Sequence, residues 1–69
     1  MEQTEKNHNN DRLLTPVEVA KILMVSRAYA YELIRKGEIR HIKIGRLRRV
    51  RRCDLDKYLE THIIPFQWD

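Results

Sequence analysis

Two helix-start signals eleven residues apart, followed by one helix stop, leave the first half of this chain little freedom in how it folds. Thr15-Pro16-Val17-Glu18 combines an N-cap threonine, a proline with φ preset for a first turn, and a glutamate placed to complete a capping box. Ser26 is a second N-cap candidate and Gly37 a matching C-terminal stop. Val19, Ala20 and Leu23 share one face of the first helix, which is expected to end near Leu23. In the second helix Ala30, Leu33 and Ile34, with Val25, form the inward stripe, while Arg27, Ala28, Glu32, Arg35 and Lys36 face out. The expected product is two short helices joined by the tight turn Met24-Val25-Ser26, the second helix with a polar exposed face.

After Gly37 the period of the pattern changes. Arg40-His41-Ile42-Lys43-Ile44 alternates polar and apolar, Gly45-Arg46 is a turn signal, and Leu47 to Arg51 can run back as a second strand. A two-residue loop would set Ile42 beside Arg49. A three-residue loop, Gly45 to Leu47, would set Ile42 opposite Val50 and Ile44 opposite Arg48, and this register is preferred because it gathers Ile42, Ile44 and Val50 on one core face. A last helix is expected from Cys53 or Asp54, with Asp54 and Asp56 complementing its dipole and Leu55, Tyr58, Leu59 and His62 or Ile63 as its apolar stripe. Pro65 stops it, and residues 63–69 form an apolar tail carrying Ile63, Ile64, Phe66 and Trp68.

The fold class expected is therefore mainly α with a small β-hairpin: helix, turn, helix, two-stranded wing, C-terminal helix. A chain of 69 residues has room for one such domain, over residues 13–62. Residues 1–12 are polar and lack apolar periodicity, so a disordered arm is expected there.

Charge is unevenly spread. Of the 14 basic residues, nine fall between Arg35 and Arg52, accompanied by the single acid Glu38, while the rest of the chain is net acidic. So concentrated a positive segment is the electrostatic footprint of a nucleic-acid binder, and a nucleic acid is the expected partner. Cys53 is the sole cysteine, which excludes an intramolecular disulfide and a Cys-rich zinc site. His8, His41 and His62 show no metal-ligand spacing, and there is neither a Gly-rich phosphate loop nor a paired-carboxylate cleft. Cys53, near a helix start, has no base to activate it. The expectation is a protein that is not an enzyme, without cofactor or metal, soluble and cytoplasmic, with neither a signal peptide nor a membrane span.

The order helix, turn, helix, basic hairpin, helix resembles the excisionase-family DNA-binding domain, a winged helix-turn-helix shared by phage excisionases and AlpA-like regulators and related to the DNA-binding half of MerR-type proteins. The resemblance covers Leu13 to Glu60 and rests on LTPVEVAKIL, on VSR with LIRKGEI, and on KIGR with RVRRCDLDKYL taken together. It implies that the helix from Ser26 to Lys36 enters the major groove of double-stranded DNA and that the hairpin tip from Lys43 to Arg49 touches backbone or minor groove.

Two positions depart from the family: Met24 stands where glycine is usual, and Arg48 where an aromatic is frequent, its charge then expected at a phosphate. Arg27, Ala28, Glu32 and Arg35 suit base readout, with arginine on guanine, glutamate on cytosine and alanine on a thymine methyl. Tyr29 and Tyr31 flank them, Tyr31 being the better phosphate donor, and Ser26 and Lys36 bound the helix. Glu32 is equally suited to a surface ion pair with Arg35 or Lys36. On the wing, Lys43, Gly45, Arg46, Arg48 and Arg49 are the candidate contacts, with one wing or flanking arginine expected to be taken by Glu38 or Asp54.

Three functions are compatible with these residues. The first is an excisionase, a recombination directionality factor that assists an integrase and loads cooperatively on tandem sites. The second is a small transcriptional regulator of the same fold. The third is a protein-interaction module whose basic face docks an acidic partner and whose Phe66 and Trp68 supply an anchor.

Overall fold

The computed structural model describes residues 12–65. Its elements are β1 (Leu13–Leu14), α1 (Pro16–Leu23), α2 (Arg27–Arg35), β2 (Ile42–Ile44), β3 (Leu47–Arg51) and α3 (Arg52–Thr61). This is the mainly α winged helix-turn-helix expected, with one strand added. The arm expected over residues 1–11, and Phe66 and Trp68 of the expected tail, lie outside the described residues.

Both helices of the pair form where their punctuation requires. Thr15 Oγ1 accepts from the Glu18 amide at 3.1 Å, and Glu18 Oε1 accepts from the Thr15 amide at 2.9 Å, a complete capping box. Ser26 Oγ caps α2 by accepting from the Tyr29 amide at 3.1 Å. Each cap of this kind contributes about 1 kcal/mol. The two helices end alike. The Met24 and Val25 amides donate to Lys21 and Ala20, and the Gly37 and Glu38 amides donate to Ile34 and Leu33. Those are paired Schellman closures, each turning on a left-handed residue. Gly37 takes φ +83° without steric cost; Met24 adopts φ 61° despite its Cβ. Val25, carried inward by that turn, packs against the core.

The core consists of Leu14, Val19, Ala20, Ala30, Leu33, Ile34, Ile39, Val50 and Leu55. Ile39 is fully buried although it precedes the alternating run that marks the hairpin. Leu14 is buried because β1 pairs antiparallel with β3, Leu13 opposite Arg51 and Leu14 opposite Val50, in a sheet of order β1-β3-β2. Arg12, assigned to the arm on sequence, extends this edge: its carbonyl accepts from the Arg52 amide at 3.1 Å.

The hairpin register differs from the one preferred on sequence. Ile42 lies opposite Arg49, Lys43 opposite Arg48 and Ile44 opposite Leu47, so the loop is Gly45-Arg46 alone. Gly45 has φ +61° and Arg46 does not, the pattern of a two-residue type II′ turn, whose twist matches that of the flanking strands. A three-residue loop would instead place its left-handed residue at Leu47, at a cost of about 1–2 kcal/mol. Ile39 and Leu14 supply the apolar area that Ile44 was expected to supply, and Ile44 is left 56% exposed. By the period-two alternation of strands, Lys43 and Arg48 share the sheet face of Val50, while Ile42, Ile44, Leu47 and Arg49 lie on the other.

Helix α3 begins one residue before the expected start. Its apolar stripe is also shorter: Leu55 is buried and Tyr58 packs against the core, whereas Leu59, His62 and Ile63 are exposed. Helix α3 packs on β3, and residues 59–61 at its end are exposed.

Candidate nucleic-acid interface

The exposed face of α2 is built by the same geometry that buries Ala30, Leu33 and Ile34. Arg27, Ala28, Tyr31, Arg35 and Lys36 project to solvent and Glu32 is half-exposed. No acid lies in the first turn of α2, so the positive end of its dipole is opposed by no carboxylate there, and Arg27 adds to it. Ser26 spends its oxygen on the cap and keeps its hydroxyl proton to donate. Arg35 donates to Glu32 at 2.7 Å, the surface ion pair that sequence weighed against base contact. With both side chains about half exposed, such a pair contributes at most about 1 kcal/mol and is readily exchanged for a stronger acceptor.

Tyr29 is exposed but sits on the flank of α2 toward α3. The Tyr58 phenol is pushed above its usual range, first by burial and then by the neighbouring Tyr29 and Glu38. Tyr31 is exposed on α2 as well.

On the hairpin, Lys43, Gly45 and Arg46 are exposed at the tip, and Arg48 and Arg49 are half-buried. Arg49 Nη1 donates to the Arg48 carbonyl at 2.8 Å. Arg48, expected at a phosphate, donates from Nη1 to His41 Nε2 at 2.9 Å. His41 was not legible as part of this site, since a histidine in an alternating run reads as an ordinary strand position. Two flanking arginines, rather than one, are paired within the domain: Arg51 with Asp54 at 2.7 Å and Arg52 with Asp56 at 3.2 Å. Of the charge segment, Arg35, Lys36, Arg40, Lys43 and Arg46 are exposed, while Arg48, Arg49, Arg51 and Arg52 are half-buried with partners inside the domain.

Among the described residues no group of three or more His, Cys, Asp or Glu side chains is arranged to hold a metal ion. No helix there is long and apolar enough to cross a membrane.

Residues 13–62 match the protein family described as "Helix-turn-helix domain". That span runs from β1 to the end of α3 and takes in both Schellman-closed helices and the hairpin. The chain belongs to this helix-turn-helix family.

A protein of Saccharopolyspora erythraea called "Probable excisionase" is 47% identical over 49 residues, 71% of this chain and 50% of that protein. The likeness places the helix-turn-helix domain among the excisionase-like members, and the chain spans about half the length of this relative. No solved structure matches this chain. Within the helix-turn-helix domain, the left-handed turn between the two helices is made by Met24, 88% exposed, with no glycine.

Proposed function

We propose that this excisionase-like domain is a sequence-specific DNA-binding architectural protein that assists an integrase in excising a mobile element. The observation that carries the reading is the capped helix pair whose second helix presents Arg27, Arg35 and Lys36 outward, together with an exposed hairpin tip bearing Lys43 and Arg46. In this reading Arg27, Ala28, Glu32 and Arg35 read base edges in the major groove, with Arg35 leaving Glu32 for a guanine. Ser26, Tyr29, Tyr31 and Lys36 hold the flanking backbone, Tyr29 from the side nearest α3. Lys43, Gly45, Arg46, Arg48 and Arg49 grip phosphates or the minor groove.

The test is a duplex titration at several salt concentrations, followed by footprinting on the flanks of the host element. About six neutralised phosphates give a log affinity that falls with log salt at a slope near −5. A flat response would dismiss DNA binding. Tandem protected sites filled cooperatively, and stimulation of excision with the neighbouring integrase, support the directionality role. A single independent site at a promoter would favour the regulator, which uses the same surface.

A further inference from the structure

The hydrogen bond from Arg48 to His41 constrains the chemistry of both side chains. His41 Nδ1 lies 3.1 Å from the Ile39 carbonyl, and its Nε2 lies 2.9 Å from Arg48 Nη1. A carbonyl only accepts and a guanidinium only donates. The ring must therefore carry its proton on Nδ1 and present a bare lone pair at Nε2. A doubly protonated imidazole, or the Nε2–H tautomer, has nothing to offer Arg48.

The bond connects a buried backbone group to the end of a long side chain. Ile39 is fully buried, so the carbonyl that orients the imidazole belongs to the core. Arg48 lies on the sheet face of Val50, which belongs to the core, and is half-buried. Nη1 is the guanidinium atom bonded to the imidazole, and an arginine offers further N–H groups on Nη2 and Nε. An unrestrained arginine loses much of its rotamer freedom on grasping a phosphate; one already tethered loses less.

We infer that His41 is a positioning residue for DNA binding: as the neutral Nδ1–H tautomer it relays the rigidity of the Ile39 carbonyl to Arg48 and presets that guanidinium for a phosphate. This inference rests on the DNA-binding reading and adds to it a residue that itself contacts no DNA.

A double-mutant cycle tests it on the whole chain, with affinity measured on cognate and random duplex. His41→Ala weakens both by about three- to tenfold, the scale of ordering one long side chain. It leaves the salt slope unchanged, because no cation is removed. His41→Gln, whose amide can accept from Arg48 and donate to Ile39, restores most of the affinity. In an Arg48→Ala background, His41→Ala has no further effect. Equal losses in both backgrounds would mean that His41 only supports the loop, and would overturn the inference while DNA binding stood. Wild-type protein that binds no duplex would overturn both readings. The tautomer is read independently from imidazole nitrogen shifts in the free wild-type protein. Protonated Nδ1 with bare Nε2 is expected, and a dominant Nε2–H form would overturn the inference whatever the fate of the variants.

Discussion

At the scale of single residues, Asp54 and Met24 sit against the usual preferences of their side chains. Asp54 is 3% exposed, the single charged residue in the core among the described ones, and accepts from Arg51 Nε at 2.7 Å and Nη2 at 3.1 Å. Those hydrogen bonds hold its carboxyl below the ordinary value of 3.8; burial opposes them, and the charges of Arg51, Arg40 and Lys57 assist. A carboxyl whose folded pKa is depressed stabilises the fold above its unfolded pKa, and that contribution is lost as pH falls through the folded value. Asp54→Asn should therefore cost about 1–3 kcal/mol in urea unfolding at pH 7 and distinctly less at pH 3. A loss of equal size at both pH values would assign the effect to packing. Met24 bears a Cβ in a left-handed turn that costs roughly 1–2 kcal/mol, partly offset by the smaller backbone entropy of a non-glycine unfolded chain. Met24→Gly should raise stability by about 0.5 kcal/mol and the β-branched Met24→Val should lower it, with thermal midpoints as the measure.

At the scale of elements, caps and turns decide where structure starts and stops. The starts of α1 and α2, the Gly37 stop and the inward stripe of α2 were legible because each depends on residues within five positions of one another. The register of the wing was not. Alternation alone permits two loop lengths, and the preference for burying Ile44 assumed that the hairpin had to complete the core by itself. Gly45 at the first loop position, with φ +61°, is a local signal that favours the two-residue loop without having to hold the register alone. A Cβ at this position meets no neighbouring atom, so Gly45→Ala should cost only the backbone strain, about 1 kcal/mol, without displacing the strands. Amide hydrogen exchange across β2 and β3 reads the outcome: faster opening with the same protected pairs is expected, and a shifted set of protected amides would mean that the glycine specifies the register. Ser26→Ala should cost about 1 kcal/mol by uncapping α2, and should slightly weaken binding to all duplexes through lost order at the helix start.

At the scale of the whole molecule, charge is segregated by partner. Asp54 and Asp56 engage Arg51 and Arg52 where α3 meets the sheet, while Arg27, Arg35 and Lys36 on and at the end of α2 and Lys43 and Arg46 at the hairpin tip are exposed. If α2 reads and the tip grips, Arg35→Ala should lose about 1–3 kcal/mol on the preferred site and little on random DNA. Arg46→Ala should weaken both alike and make the salt slope shallower by about one unit. Identical profiles for the two variants across cognate and random sequences would undo that division of labour. The sequence by itself determined the helix pair, its tight turn, the presence of a basic hairpin and the identity of the outward α2 residues, since all of these follow from spacing within one element. The tertiary structure alone decided that Leu13 and Leu14 form a strand, that Ile39 completes the core, that the outer half of α3 stays uncovered and that His41 holds Arg48. Each of these depends on which distant segment lies alongside, and a buried contact between segments far apart in the chain leaves no period in either of them.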